Sequence, residues 1–274
     1  MQEAIGSRVG WLQSPKRRTF MAAFIFLAYL HPLVVRGEAG FRAGLYFSQT
    51  SPLTDEQETA VLEDLRQWTG FVEIQPDENG RIVLGDRTGI SGGSATARSL
   101  ILGAMDGADS YTVEGGYRSP EVAFARIQAR SDYVNQKAAP GLTRHCWSIQ
   151  LDFHDYQELR GQAEAISAFD PGLNLLHELA HAVLRLRDST SQADPLGDCE
   201  RFINRIRREM GVPERESYLP VNGLAVTPAG TGQRVVGELT FVRIGPDKRI
   251  KKFRLTFDVL NVFAVAVVGR RPLV

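Results

Sequence analysis

A helix with almost no polar face is the feature of this sequence that most constrains its fold. Asp170 and Pro171 provide an N-cap and a proline at the first helical position, and the helix is predicted to run from there to about Arg187. Its apolar residues cover every side of the helix; they are Leu173, Leu175, Leu176, Leu179, Ala180, Ala182, Val183, Leu184 and Leu186. A helix that is apolar on all sides is stable only when other elements surround it, so we expect it to be buried.

The composition is that of an ordinary globular protein and excludes several other classes. Of the 274 residues, 43% are hydrophobic, which is too many for a disordered tail, and two cysteines are too few for a disulfide-dense scaffold. The 32 basic residues balance the 32 acidic ones, so the chain is not a strongly basic nucleic-acid-binding domain. Residues 1–37 hold five of the basic residues and one of the acidic ones, so the remainder is mildly acidic.

The N-terminal segment has the layout of a secretory signal. A basic stretch, Lys16-Arg17-Arg18, precedes the short apolar run Phe20–Leu30, and the two arginines before Phe20 also resemble a bacterial twin-arginine signal. The run is shorter than the roughly 20 apolar residues that a membrane-spanning helix requires. We therefore expect residues 1–37 to be an export signal, which would place the protein in the periplasm or outside the cell. An uncleaved membrane anchor is the alternative.

The remaining sequence predicts an α+β fold with a mixed, mostly antiparallel sheet packed on the buried helix. Residues 38–53 are expected to be a linker, 54–220 the main domain and 221–274 a C-terminal β-rich extension. Periodicity, caps and turn signals predict helices that start near Thr54, Ser94 and Cys199. The predicted strands are Phe71–Gln75, Arg81–Leu84, Ser110–Glu114, Val122–Ile127, Trp147–Phe153, Val235–Ile244 and Arg249–Val268.

The buried helix also carries ionisable residues in the pattern H-E-x-x-H. His177 and His181 are four residues apart, so both imidazoles lie on one face and can hold one metal ion. Glu178 is rotated by about 100° from His177 and can reach a water on that metal. By chance this pattern is expected about 0.006 times in a chain of this composition. We therefore expect a bound transition metal, most simply Zn²⁺.

The segment Leu-His-Glu-Leu-Ala-His-Ala-Val resembles the metal-binding motif of the zincin metallopeptidases. A catalytic zinc keeps three protein ligands and one open position, so a third ligand is needed. The sequence after His181 lacks the H-x-x-G-x-x-H pattern of the metzincins. The resemblance to gluzincins, in which a following helix supplies a glutamate, implies that Glu200 is the third ligand. Asp194 and Asp198 are the alternatives.

The same resemblance suggests roles for residues around Glu200. Asn204 lies one helical turn further on, where gluzincins often have an aspartate that bonds to a metal-binding histidine. The stretch Glu200–Tyr218 is similar to the corresponding region of bacterial effector-type zinc proteases, which implies that Arg215 or Tyr218 approaches the site. Tyr218 would then hydrogen-bond the oxyanion of a tetrahedral intermediate, and the alternative is that it only packs against the loop.

Four further features lie outside the motif. In zincins an edge strand next to the metal helix binds the substrate, and Trp147–Phe153 is the candidate here. His145 and His154 flank that strand, and we expect surface or capping roles for both. Cys146 and Cys199 are hypothesised to form a disulfide in an exported protein. The basic stretch Lys248–Arg254 is interpreted as a solvated face that protects a strand edge, in preference to a nucleic-acid or lipid site.

Together these observations predict a zinc-dependent metallopeptidase. His177, His181 and Glu200 would hold Zn²⁺, and Glu178 would accept a proton from the zinc-bound water as general base. The expected partner is a protein or peptide substrate, with no nucleic acid and with a membrane involved only during export or through the N-terminal segment. An exported metal-binding or interaction module without turnover, or a zinc hydrolase of a non-peptide bond, is the alternative.

Overall fold

The structure is a computed structural model that describes residues 43–119, 123–130, 144–226 and 233–259. All of them belong to one compact unit, Gly40–Val274. The expected export segment, residues 1–37, lies outside the described residues. Among the helices that are described, none is long and apolar enough to cross a membrane.

A four-stranded mixed sheet forms the central layer. Its strands are β1 (Gly44–Phe47), β4 (Ser110–Gly116), β5 (Ala125–Ala129) and β6 (Cys146–Asp152), in the spatial order β1-β4-β6-β5. The pairs β1–β4 and β4–β6 are parallel, and only β5 runs antiparallel to its neighbour β6. The α+β class is therefore confirmed, but the expectation of a mostly antiparallel sheet on the metal helix is wrong. Parallel neighbours are joined by long connections, which leave no local hairpin signal.

Residues 44–47 belong to this sheet and are not part of a linker. Leu45 and Phe47 are buried in the core, while Gly44 to Phe47 pair in register with Ser110 to Val113. The strand has no clear local signal, because it is four residues long and its partner lies more than 60 residues further along the chain. The first described element therefore starts within the segment that was expected to be a linker.

Helices cover the sheet, and their starts follow the predicted capping signals. The helices are α1 (Asp55–Thr69), α2 (Ala95–Asp106), α3 (Phe153–Gln157), α4 (Ala163–Ile166), α5 (Pro171–Val183) and α6 (Gly197–Glu209). Thr54 and Gln57 form the expected capping box of α1, and Asp170 caps α5 through the Leu173 amide. The helix α5, which carries the H-E-x-x-H pattern, packs against α1, α2, α6 and β5, and nine of its 13 residues are buried. Its predicted burial is thus confirmed.

The remaining strands form two antiparallel sheets. The strands β2 (Ile74–Pro76) and β3 (Ile82–Leu84) form a hairpin whose turn contains Gly80 in the left-handed region. The second sheet contains β7 (Arg160–Gly161), β8 (Glu214–Arg215), β9 (Val221–Val226), β10 (Gln233–Ile244) and β11 (Ile250–Asp258). The β-rich C-terminal part therefore shares one sheet with residues 160–161 and 214–215, and aromatic residues fill the core beneath it.

Candidate metal centre

The two histidines of the motif face each other on α5, as their spacing predicts. The Nε2 atoms of His177 and His181 are 3.1 Å apart, and their ring centroids are 4.8 Å apart. The side chain of His177 is 7% exposed and that of His181 is 17% exposed. Both imidazoles therefore lie in a pocket that opens to solvent mainly on the side of His181.

The end of α5 brings a carboxylate to these histidines. The helix ends at Val183, and Arg185 has a positive φ of 58°, which turns the chain back along the helix. After this turn, Asp188 places Oδ1 3.1 Å from His177 Nε2 and Oδ2 3.3 Å from His181 Nε2. Asp188 is not one of the three carboxylates that the sequence favours as a third ligand.

The same turn fixes the ring orientation of His181. The backbone carbonyl of Leu186 accepts a hydrogen bond of 2.9 Å from Nδ1 of His181. Because a carbonyl can only accept, Nδ1 carries a proton, and Nε2 is the nitrogen that is available to a metal.

The spacing of these atoms suits a tetrahedral ion. Two ligands at zinc distances of 2.0–2.1 Å lie about 3.3 Å apart in a tetrahedron, which is close to the separations of the two Nε2 atoms and the Asp188 oxygens. Cys199, from α6, completes a group whose four ligand atoms all lie within 4.8 Å of one another. These four side chains could hold a metal ion, whose identity the structure does not fix.

The electrostatics of the centre follow from these contacts. Burial alone would raise the pKa of Asp188, but its hydrogen bonds with His177 and His181 hold that pKa well below its usual range. Burial alone would lower the pKa of His181. The hydrogen bond and the charge of Asp188 outweigh this effect and raise the pKa to about 9. The raised pKa of His181 favours a proton on this ring, whose charge balances the Asp188 carboxylate.

Glu178 lies beside the histidines and faces the edge of the central sheet. Its residue is 9% exposed, and burial raises the pKa of its carboxyl group, although the charges of His177 and His181 oppose this effect. The carboxylate also accepts a hydrogen bond from the backbone amide of Ile127 on β5. This contact places the Glu178 carboxylate beside β5.

Glu200 is buried on the other side of His177. It is fully buried, forms ion pairs with Arg207 and Arg215, and has Oε2 3.7 Å from Nδ1 of His177. Burial would raise the pKa of Glu200, but the charges of the two arginines outweigh it and lower the pKa to about 2. The carboxylate therefore contacts the Nδ1 side of His177, while the Nε2 side faces His181 and Asp188.

The other two candidate ligands lie away from the histidines. Asp194 and Asp198 both form ion pairs with Arg201, and their side chains are 49% and 66% exposed. Neither belongs to the group of ligand atoms around His177 and His181 among the described residues.

Asn204 bonds to the arginines and not to a histidine among the contacts of the described residues. Its Oδ1 accepts bonds of 2.8 Å from the Arg215 amide and from Arg207, and its Nδ2 donates to the Arg215 carbonyl at 2.8 Å. Asn204 thus holds in place the strand β8, which carries Arg215.

Tyr218 reaches the metal centre, as the resemblance suggests. Its ring stacks on His177 with a centroid distance of 5.7 Å and an interplanar angle of 5°. Burial, followed by the charge of Asp188 and its hydrogen bond with the tyrosine, raises the pKa of Tyr218 well above its usual value. The hydroxyl therefore stays protonated and lies at the carboxylate of Asp188.

The edge strand of the sheet is β5 and not the predicted Trp147–Phe153. The predicted segment forms β6, which lies between β4 and β5. The amide of Arg130 and the carbonyl of Phe124 bond to β6, so residues 125, 127 and 129 direct their backbone groups to the opposite side. In the part of the chain that the structure describes, no strand pairs with β5 on that side. The expectation of an edge came from the resemblance to zincins, and the pairing of β6 with both β4 and β5 shows that it is wrong.

The flanking histidines and the cysteines have local roles. His145 lies next to Trp147, with ring centroids 6.0 Å apart, and His154 accepts a hydrogen bond of 2.9 Å from Arg118. Neither belongs to the metal group among the described residues. Cys146 and Cys199 are both buried and form no disulfide, so the hypothesised pairing is wrong. The Cys199 thiol instead donates to the backbone carbonyl of His177 at 3.5 Å.

Comparisons of the chain with models of known families, with characterised proteins and with solved structures give no match.

Proposed function

We propose that this protein is a metal-dependent hydrolase, and specifically a zinc metallopeptidase. In this proposal His177, His181 and Asp188 hold the metal, and Glu178 is the general base. The observation that carries the proposal is the meeting of two imidazole Nε2 atoms and one carboxylate at 3.1–3.3 Å beside a buried glutamate. Asp188 takes the place that the sequence resemblance assigns to Glu200.

The donor set fits zinc. Two imidazoles and a carboxylate are common zinc ligands, and three protein ligands leave the open position that distinguishes catalytic from structural sites. A zinc ion bound there supplies a Lewis acid that activates water and polarises a carbonyl. The thiol of Cys199 is fully buried and already donates to the His177 carbonyl, so we assign it to the support of α5 and not to the metal.

Glu178 has the properties of a general base. Burial favours its protonated form, while the neighbouring histidines favour the carboxylate, so the two effects oppose each other in setting its proton affinity. It would accept a proton from the attacking water and pass it to the leaving amine. The amide of Ile127 keeps the carboxylate on the side of the substrate strand.

The outward side of β5, on which no other strand pairs among the described residues, favours a peptide substrate over other hydrolysable bonds. An extended peptide can add to such an edge through main-chain hydrogen bonds. Because the Ile127 amide contacts Glu178, a peptide on this edge would pass directly beside the general base. This placement is the main support for a peptidase.

A cavity next to Tyr218 is a candidate site for a substrate side chain. It has a volume of about 350 Å³ and contains no charged side chain in its wall. Residues that line it flank Tyr218 on both sides, and Tyr218 stacks on His177. The lining residues are Ser191, Gln192, Pro195, Ser217, Leu219, Pro220 and Val221. We therefore expect a preference for substrates with an uncharged residue close to the cleaved bond.

The proposal is tested by metal analysis combined with a library of quenched fluorescent peptides, with and without a chelator. We expect one metal ion per chain and cleavage that the chelator abolishes. Glu178→Gln should keep the metal and lose cleavage, while His181→Ala should lose both. Glu63→Gln changes an exposed glutamate on α1 in the same way and serves as the matched control.

The alternatives give different results in the same experiment. Stoichiometric metal without cleavage of any peptide, ester or amide substrate would favour an exported binding module. Cleavage of esters or amides alone would indicate a non-peptide bond as the target. Full activity of Glu178→Gln would exclude the proposed mechanism. The extracytoplasmic location stays a proposal from the N-terminal sequence, and detection of the mature chain outside the cytoplasm tests it.

A further inference from the structure

The hairpin formed by β10 and β11 extends beyond the strands that flank it. Beside it, β8 pairs only with Phe241 and Val242, and β7 pairs only with Leu255 and Thr256. Residues 243–251 therefore form a projecting tip, which turns through Gly245 and Arg249 with an amide-to-carbonyl bond of 2.8 Å. We refer to residues 243–251 as the hairpin tip.

Two large apolar side chains lie at the base of this turn. Ile244 and Ile250 are directly opposite each other in the β10–β11 register and are 69% and 63% exposed. Single exposed apolar residues are common, but a cross-strand pair forms a continuous apolar surface. Its position at the end of a projecting hairpin leaves it accessible to a large flat partner.

The hairpin tip is also strongly basic. Arg243, Lys248, Arg249 and Lys251 are all exposed, and Asp247 is the one acidic residue between positions 243 and 251. Asp247 pairs with Arg249 at 3.4 Å. The four basic residues and Asp247 give the tip a formal net charge of +3. Among the described residues, no carboxylate lies within 4 Å of the charged groups of Lys248 or Lys251.

We propose that the hairpin tip binds the surface of anionic phospholipid membranes. Ile244 and Ile250 would enter the boundary between head groups and acyl chains, and the surrounding cations would contact the lipid phosphates. Apolar groups combined with basic residues are the requirements for binding to such an interface. Nucleic acid fits the tip less well, because the apolar residues are isoleucines and not the aromatic residues on which bases stack.

The interpretation of this stretch as a protected strand edge does not account for the isoleucines. Charged residues are sufficient to protect a strand edge, and Lys251 and Lys252 provide them. The exposed isoleucines are not needed for that role. The pairs Lys252–Glu216 and Arg254–Glu238 show that basic residues nearer the sheet are already neutralised. The uncompensated charge is therefore concentrated at the tip, beside the isoleucine pair. This inference does not depend on the proposed hydrolase activity.

The test is cosedimentation of the full chain with vesicles that contain phosphatidylglycerol and with vesicles of phosphatidylcholine alone. We expect binding to the anionic vesicles, weakened by salt. Lys248→Gln together with Lys251→Gln should weaken binding by roughly 25-fold, since each cation contributes about fivefold. Ile244→Ser together with Ile250→Ser should weaken it by at least about tenfold.

Matched controls separate the tip from the rest of the chain, including its apolar N-terminal segment. Val72→Ser with Ile90→Ser removes a comparable exposed apolar pair elsewhere, and Arg205→Gln with Arg208→Gln removes two exposed charges on α6. Both controls should bind like the original chain.

A second measurement does not rely on loss of binding. Ile250→Trp keeps the tip apolar, and its additional fluorescence should shift to shorter wavelength with anionic vesicles only. Three results would overturn the proposal. They are binding of the tip variants as strong as that of the original chain, binding that does not require anionic lipid, and an unshifted emission from the Ile250→Trp variant. A change of oligomeric state in the isoleucine-to-serine variant without any lipid binding would assign the surface to a second copy of the chain instead.

Discussion

Replacement of Asp188 by alanine should abolish metal binding and leave the fold intact, whereas Glu200→Gln should have the opposite effect. The two carboxylates lie on opposite sides of the His177 ring: Asp188 is 3.1 Å from Nε2, and Glu200 is 3.7 Å from Nδ1. The side chain of Asp188 is 28% exposed and that of Glu200 is fully buried. These positions are consistent with the proposed roles of Asp188 as a metal ligand and of Glu200 as a buried counter-ion of the arginines.

The expected magnitudes differ accordingly. Mutation of a residue that only hydrogen-bonds to a metal ligand typically lowers metal affinity by about 10- to 100-fold. Removal of the proposed ligand Asp188 should therefore lower the affinity by more than about 100-fold. Removal of the charge on Glu200 leaves Arg207 and Arg215 buried without their counter-ion. Loss of one partner from a buried ion pair costs about 3–5 kcal/mol. At about 3 kcal/mol, the melting temperature of Glu200→Gln should fall by roughly 6–12 °C.

Thermal unfolding with and without added Zn²⁺ measures both effects at once. A ligand that binds only the folded state raises the melting temperature, so the zinc-dependent shift reports metal binding even in a destabilised variant. The shift should disappear in Asp188→Ala and persist in Glu200→Gln. Loss of the shift in Glu200→Gln, with a normal shift in Asp188→Ala, would refute this reasoning and restore Glu200 as the ligand.

Three further predictions concern individual side chains. Tyr218→Phe should keep the metal and lower kcat by about 100-fold if the hydroxyl stabilises the oxyanion, and single-turnover kinetics will measure this. Burial raises the pKa of Asp155 to about 7 in the folded state, so folding favours its protonated form. Stability relative to Asp155→Asn should therefore fall as the pH rises from about 4 to about 7, as pH-dependent melting will show. Thiol titration should find both Cys146 and Cys199 reduced, and reactive only after unfolding, because both are buried.

The parts of the fold that local signals encode could be predicted from the sequence. The Thr54–Gln57 capping box and the Asp170 cap each involve residues within three positions, and the structure confirms both helix starts. Strand order depends on pairings between distant segments. The register of Gly44 with Ser110 and of Ser110 with Cys146 has no local signature, so neither the parallel pairs nor β1 could be recognised.

In the candidate site too, local features could be predicted from the sequence and contacts between distant segments could not. His177 and His181 lie in one helix, so their spacing fixes their geometry. The identity of the proposed third ligand, a carboxylate, depends on how the chain turns after α5. In the metzincin pattern, a glycine between the second and third ligands permits that turn. Here Arg185 adopts the left-handed conformation instead, and Asp188 follows His181 by seven positions. Because no glycine marks the turn, the sequence carries no signal that the chain reverses there and returns an acid to the histidines.

The burial of the residues around His177 also indicates the direction from which a substrate of the proposed hydrolase would approach. Side-chain exposure rises from Glu200 at 0% through His177 at 7% and His181 at 17% to Asp188 at 28%. The ion pairs of Glu200 with two arginines close the Nδ1 side of His177 and restrict movement of that ring. Among the described residues, the more exposed side chains of His181 and Asp188 therefore mark the open side of the centre. Since the amide of Ile127 bonds to Glu178 at the edge of β5, a peptide on that edge and a water between Glu178 and Asp188 would meet on the open side of the centre.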